Sequence, residues 1–167
     1  MLESDLQPAT APTTIFLKDY QKPDFLIPIT NLDFQLGETH TRVTAVLQLH
    51  RNGKHTRSLV LDGEKMELIS LKIDGKKLED SEYQVADESL TIGSVPDSFE
   101  LEIVTQLQPH LNTELSGLYQ SSGNFCTQCE AEGFRRITFF PDRPDVLSVY
   151  TATLTASAKD CPVLLSN

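Results

Sequence analysis

One stretch of the sequence, from Gly123 to Ile137, concentrates the side chains that can do chemistry. It contains Cys126 and Cys129 in a Cys-x-x-Cys spacing, which allows two thiolates to hold one metal ion or to form a redox disulfide. A structural zinc ion needs a full tetrahedral set of ligands. The chain has only one further cysteine, Cys161, and its four histidines show no metal-ligand spacing. We therefore interpret Cys126 and Cys129 as free, buried thiols.

The same stretch carries two carboxylates, Glu130 and Glu132, separated by one residue. Two carboxylates can form a general acid-base pair. Alternate positions, however, point to opposite faces of a strand and do not stack on a helix. A single one of them can still bind a cation. We predict that the neighbouring Arg135, Arg136 and Arg143 form local ion pairs that hold the loop.

The sequence contains no Ser-His-Asp order, no glycine-rich phosphate loop and no His-Glu-x-x-His motif. We therefore predict that this chain by itself has no catalytic residues and no metal site. Its net charge of −10 argues against a nucleic-acid partner or an anionic membrane, because both would repel it. The first residues have neither the basic segment nor the apolar run of a signal peptide or membrane anchor, so a cytoplasmic location is expected.

The elements that position this stretch are predicted to be strands. Apolar and polar residues alternate with a period of two in most of the chain before residue 110, and no helical stripe is present there. Turn signals such as Asn52-Gly53 and Asp74-Gly75 separate the strands. This pattern predicts a mostly β fold, an antiparallel β-sandwich or saddle. The alternating segments are 32–36, 43–49, 59–61, 71–73, 83–85, 90–92, 99–107 and 147–156.

From Asn112 until the alternation resumes at Leu147, the sequence lacks a clear period. Gly117, Ser121, Ser122 and Gly123 predict a long loop, and residues 130–137 predict two helical turns that Gly133 weakens. The final apolar residues, 163–165, are strand-like. At 167 residues the chain suits one domain with a real core. We predict a flexible tail over 1–14 and one β domain over 15–167, and we expect it to be a piece of a longer polypeptide.

Several runs of residues together carry a family resemblance. They are Lys18–Tyr20 with Pro23–Phe25, Leu61–Glu64, Asn112–Ser121, Cys126–Thr138, Asp142–Val146 and Pro162–Asn167. These runs resemble the bacterial aminopeptidase N enzymes, which are zinc metallo-aminopeptidases with a thermolysin-like catalytic domain. The resemblance extends over about residues 18 to 167. In that family the corresponding region is only the N-terminal domain, a saddle-shaped β-sandwich that sits against the catalytic domain. The zinc motif and the catalytic tyrosine come later in the polypeptide.

The resemblance implies that a loop of this domain holds the free amino end of a peptide substrate. Carried onto this sequence, the substrate-binding residues are Gln128 and Glu130. Glu130 would attract the α-ammonium together with a glutamate of the catalytic domain, and Gln128 would orient the amine without adding charge. Cys126 and Cys129 would brace the loop. Zinc is expected in the full-length enzyme, which would remove N-terminal residues from peptides, and not in this chain.

Two other readings of the sequence remain open. The chain is alternatively a free-standing β-sandwich module whose loop binds a partner protein. It is otherwise a small redox or zinc protein that uses Cys126 and Cys129. The resemblance to aminopeptidase N, by contrast, predicts two partners: the catalytic domain of the same polypeptide and the N-terminus of a peptide. It predicts no nucleic-acid partner and no membrane.

Overall fold

The computed structural model describes residues 16–166. The predicted flexible tail, residues 1–14, lies outside the described residues. The described chain is mostly β, which confirms the predicted fold class. It has short 3-10 helices at Leu17–Asp19, Pro109–Leu111 and Phe134–Arg136. Its strands are β1 (Phe25–Gln35), β2 (Thr41–Arg51), β3 (Leu59–Asp62), β4 (Glu67–Ile73), β5 (Lys76–Lys77), β6 (Tyr83–Val85), β7 (Ser89–Ile92), β8 (Ser98–Leu107), β9 (Gly117–Ser121), β10 (Asn124–Gln128) and β11 (Val149–Thr155).

The larger layer is a six-stranded sheet in the order β11-β1-β2-β8-β4-β5. Its pairs are antiparallel except for β1 with β11, which run parallel. In β2 the alternate residues Val43, Ala45, Leu47 and Leu49 are fully buried, whereas the side chains between them are not. Because successive side chains point to opposite faces of a strand, this alternation gives the sheet one buried face.

The second layer is a three-stranded sheet in the order β3-β7-β6. Its inward residues Leu59, Leu61, Leu90 and Ile92 are buried in the same continuous core as the inward residues of the larger sheet. Burying one such side chain stabilises a fold by roughly 1.5–3 kcal/mol. The two sheets therefore pack as the layers of a sandwich, as the alternation predicted.

The predicted long loop over 117–123 is wrong. Gly117–Ser121 and Asn124–Gln128 form a two-stranded hairpin, joined by Ser122 and Gly123. Both turn residues have a positive φ, 51° and 81°. A two-residue turn with two positive φ angles matches the twist of a hairpin and favours glycine. The Ser-Gly pair is thus a hairpin turn signal that the sequence analysis interpreted as loop composition.

The predicted pair of helical turns over 130–137 is also wrong, because only Phe134–Arg136 forms a short 3-10 turn. Phe134 stacks edge-on against Phe140 and Tyr150, with ring centroids 4.9 and 5.7 Å away. These contacts, with residues six and sixteen positions further along the chain, are tertiary packing that overrides local helix propensity. The strand-like residues 163–165 pair with no strand in the described chain, and Leu165 is 87% exposed.

Candidate functional site

The two predicted substrate-binding residues lie in the segment Gln128–Glu132, which begins at the last residue of β10 and which we call the 128–132 loop. A backbone hydrogen bond closes this loop, from the amide of Gly133 to the carbonyl oxygen of Cys129 at 2.9 Å. Inside it, the Gln128 side-chain amide donates to the carbonyl oxygen of Glu130 at 3.3 Å. The peptide bond between Glu130 and Ala131 is cis. The loop is therefore held by its own hydrogen bonds, while the side chains of Gln128 and Glu130 are exposed.

Gly133 makes this tight closure possible. A Cβ atom at this position would lie 2.5 Å from the carbonyl oxygen of Gln128 and 2.8 Å from the Ser116 hydroxyl oxygen. Both distances are shorter than van der Waals contact, so any larger residue would push this position away from Gln128 and from Ser116, which directly precedes β9. Gly133, which weakened the helix prediction, is therefore required because two backbone segments lie close together at this position.

Arg135 connects the loop to the turn that follows Phe140. Its backbone amide and its Nε atom both donate to Oδ2 of Asp142, at 3.1 and 3.0 Å. Its Nη2 atom donates to the backbone carbonyl of Asp142 at 3.1 Å and lies 3.5 Å from Glu132 Oε2. Charge-assisted hydrogen bonds of this kind are shorter and stronger than neutral ones.

Arg136 forms a second cluster of ion pairs beside the first. It lies 3.0 Å from Glu64 and 3.1 Å from Glu114. Glu114 also bonds Lys65, and the hydrogen bonds from Lys65 and Arg136 lower the pKa of that carboxyl below its ordinary value. Gly117 has a φ of +73° and would place a Cβ only 2.5 Å from Cβ of Arg136, so glycine is required there as well.

These pairs leave one carboxylate of the loop region without a cationic partner. Glu64, Glu114, Glu132 and Asp142 each bond an arginine. Within residues 16–166, no arginine, lysine or histidine lies at ion-pair distance from the carboxylate of Glu130. This exposed carboxylate on an ordered loop is free to bind a cation supplied from outside the domain.

The ion pairs predicted for the three arginines are confirmed, since Arg143 pairs with Asp145 at 2.7 Å in addition to the pairs above. Asp62 was not among the predicted site residues, yet its Oδ2 accepts a hydrogen bond from the backbone amide of Asp142 at 2.9 Å. The two residues are eighty positions apart in the sequence, and no local pattern connects them.

The three cysteines are free, as predicted for Cys126 and Cys129. The structure corrects the prediction of full burial, because all three are partly exposed. They line one cavity of roughly 640 Å³ that also includes Phe34, Phe125 and the segment 160–166. Gln128 and Glu130 lie outside this cavity. The loop thus places its one thiol, that of Cys129, on the cavity side and its polar side chains on the open surface.

Burial raises the pKa of the Cys129 thiol, and the charge of Asp142 adds to that effect. The reactive species of cysteine is the thiolate. We therefore expect three thiols to titrate in the unfolded chain and Cys129 to react slowly in the folded chain near neutral pH. A time course with an aromatic disulfide reagent checks this, with Cys129→Ser expected to remove the slow phase and Cys126→Ser to retain it. Fewer than three thiols in the unfolded chain would contradict the free-cysteine assignment.

Residues 16–166 contain no group of three or more His, Cys, Asp or Glu side chains arranged to hold a metal ion. None of the helices in that part of the chain is long and apolar enough to cross a membrane.

Comparison with known proteins gives a consistent family assignment. The model of a family described as the peptidase M1 N-terminal domain matches residues 27–167. Aminopeptidase N of Caulobacter vibrioides is 50% identical to the chain over 156 residues, a match that covers 93% of this chain. The chain spans only 18% of the length of that relative.

Solved structures agree with the sequence matches. Aminopeptidase A of Legionella pneumophila, crystallised with aspartic acid, superimposes with a TM-score of 0.84 at 36% identity. That match covers 90% of this chain and 18% of the other. An M1 zinc metallopeptidase from Deinococcus radiodurans has a TM-score of 0.68 at 16% identity, covering 82% of this chain and 33% of the other, and so shares the fold.

Proposed function

The chain belongs to the peptidase M1 N-terminal domain family, and on that premise we propose that it is the first domain of a zinc-dependent aminopeptidase. Its catalytic domain would lie in the same polypeptide, because the chain spans only 18% of the length of a relative that is 50% identical to it. In the complete enzyme, Gln128 and Glu130 would bind the free α-amino group of a peptide substrate. The domain alone would not cleave peptides.

One observation carries this proposal, the exposed carboxylate of Glu130 without a cationic partner among residues 16–166. An aminopeptidase must recognise a positive α-ammonium at the end of its substrate. A contact between unit charges at about 4 Å is worth about 4 kcal/mol at an effective dielectric constant of about 20, before the cost of desolvation. Glu130 supplies that charge, and the ordered 128–132 loop limits the conformational freedom that binding would remove.

Gln128 has a complementary task. Its side-chain amide already donates to the carbonyl oxygen of Glu130, so the two residues are coupled. The side-chain oxygen of Gln128 remains as an acceptor for an ammonium N–H. Together the two side chains would offer the amine one charged and one neutral acceptor, which fixes its orientation as well as its position.

The two side chains lie on an open surface, so the opposite wall of a substrate cleft would come from the catalytic domain. A zinc ion bound in that domain would activate the water that attacks the first peptide bond. The residues of this chain would bind and orient the substrate amine. The net charge of −10 suits a cationic substrate end and disfavours nucleic acid. We also propose a cytoplasmic location.

The test compares this chain with the complete polypeptide, both supplied with zinc. The substrates are alanine p-nitroanilide and its N-acetyl derivative, which differ only in the positive amine. We expect hydrolysis by the complete polypeptide alone, with a strong preference for the free amine. Equal rates on both substrates would overturn the role in amine binding. No hydrolysis by either protein would overturn the enzyme assignment and favour a free-standing protein-interaction module.

A further inference from the structure

We propose that Arg135 and Asp142 form a positioning pair for substrate recognition. This pair holds the 128–132 loop in the position and orientation in which Glu130 contacts the substrate amine. This inference rests on the proposed function and extends it to two residues that do not touch the substrate. It follows from a continuous series of contacts that leads from the core to the loop.

The series begins in the three-stranded sheet. Asp62 ends β3, and its backbone exchanges two hydrogen bonds with Phe140, at 2.9 and 3.0 Å. Phe140 is buried and packs against Phe134. The side chain of Asp62 then accepts the backbone amide of Asp142 at 2.9 Å. Asp142 is therefore fixed to a core strand through its own backbone amide and through Phe140, two residues earlier.

Asp142 in turn holds Arg135 through three hydrogen bonds of 3.0–3.1 Å. The Asp142 side chain is only 11% exposed and that of Arg135 21%, so water competes little for these contacts. The backbone carbonyl of Arg135 also accepts the amide of Glu64 at 3.0 Å. A planar guanidinium bonded at several points has little freedom to rotate, in contrast to a lysine ammonium.

The last contact reaches the loop itself, since Nη2 of Arg135 lies 3.5 Å from Oε2 of Glu132. This contact has two consequences. It ties the far end of the loop to a side chain that the core holds in place. It also engages the carboxylate of Glu132, which leaves Glu130 as the loop carboxylate available to the substrate.

Loss of the pair would release the loop without removing any atom that meets the substrate. Displacement of a positioning group by about 1 Å can cost up to about 100-fold in activity. We expect a smaller effect on substrate binding, because the hydrogen bond from Gly133 to Cys129 still closes the loop. A change in uniform binding appears in KM and leaves kcat nearly constant.

The test uses the complete enzyme with Arg135→Ala, Asp142→Asn and the double variant, assayed on alanine p-nitroanilide. Each single variant should raise KM about tenfold with kcat changed less than about twofold. The double variant should raise KM no more than either single variant, because both changes break one unit. The matched control is Arg143→Ala, which removes the same charge from a neighbouring ion pair with Asp145 and leaves KM unchanged.

Glu130→Ala is measured beside these variants to separate the two proposals. If it raises KM and Arg135→Ala does not, the positioning role is overturned and amine binding by Glu130 stands. If neither raises KM, both are overturned. An equal rise of KM in the Arg143→Ala control, or additive effects in the double variant, would also overturn the positioning role. Asp142→Asn preserves shape and one acceptor, so it reports on the pair if Arg135→Ala fails to fold.

Discussion

Replacing Glu130 with alanine in the complete enzyme should raise KM for aminoacyl p-nitroanilides by about 30-fold or more, with a much smaller change in kcat. Removing one partner of a buried, hydrogen-bonded charge pair, as the amine and Glu130 would form beneath the catalytic domain, typically costs about 2–5 kcal/mol. About 1.4 kcal/mol corresponds to a factor of ten. The reason is structural, since no other carboxylate of the 128–132 loop is free to replace Glu130. Steady-state kinetics on alanine and lysine derivatives measures the effect.

Glu132→Ala is the matched control, because it removes the same charge from the same exposed loop. Glu132 already faces Arg135 at 3.5 Å, so its removal takes away no free charge and only loosens the contact that ties the loop to Arg135. We expect KM to rise by no more than the roughly tenfold of Arg135→Ala, clearly less than for Glu130→Ala. Glu130→Gln distinguishes charge from hydrogen bonding and should lie between the wild type and the alanine variant. An unchanged KM in Glu130→Ala would contradict the proposed site, and equal effects of both substitutions would indicate general electrostatic attraction instead.

Gly63→Ala should be strongly destabilising. An added Cβ at Gly63 would lie 2.1 Å from Cδ1 of Phe139, whose ring is buried in the core. The backbone of Gly63 cannot shift freely, because its amide donates to the carbonyl oxygen of Glu88. Overpacking of this kind costs about 1–3 kcal/mol. We expect the midpoint of thermal unfolding to fall by about 5–10 °C.

Gly93→Ala serves as the control for that substitution. Gly93 is exposed, its φ is not in the left-handed region, and nothing lies within 4 Å of an added Cβ. We expect its midpoint to stay within about 2 °C of the wild type, or to rise slightly because alanine restricts the unfolded chain. Calorimetry on both variants makes the comparison. Equal midpoints for the two variants would show that the Phe139 ring moves aside without cost.

The sequence determined much of the fold through local alternation. The strands β2 and β8 were predicted because inward-facing, mostly apolar residues occupy every second position over 43–49 and 99–107, a pattern typical of a half-buried strand. The prediction failed where local signals were ambiguous. Ser122 and Gly123 fit either a loop or a tight turn, and only the pairing of β9 with β10 distinguishes the two.

The candidate site, like the fold, was predicted only in part from the sequence. The resemblance to a family identified Gln128 and Glu130, and the composition of the loop predicted that its arginines would be paired. The partners could not be predicted, because the chain has 24 acidic residues for 14 lysines and arginines and so offers each arginine many choices. Water and salt screen the attraction between charges that lie far apart. An arginine therefore has no preferred acidic partner until packing brings one of them close to it.

The sequence by itself thus determined the β-rich character of the chain, its buried face and the loop that carries the carboxylates, because these depend on residue types at neighbouring positions. The tertiary structure alone decided that β11 runs parallel to β1, more than a hundred residues away, and that Arg135 bonds Asp142. It also decided that Glu130 is the loop carboxylate left without a partner among residues 16–166. These outcomes depend on which distant segments pack together, and local pattern does not encode that choice.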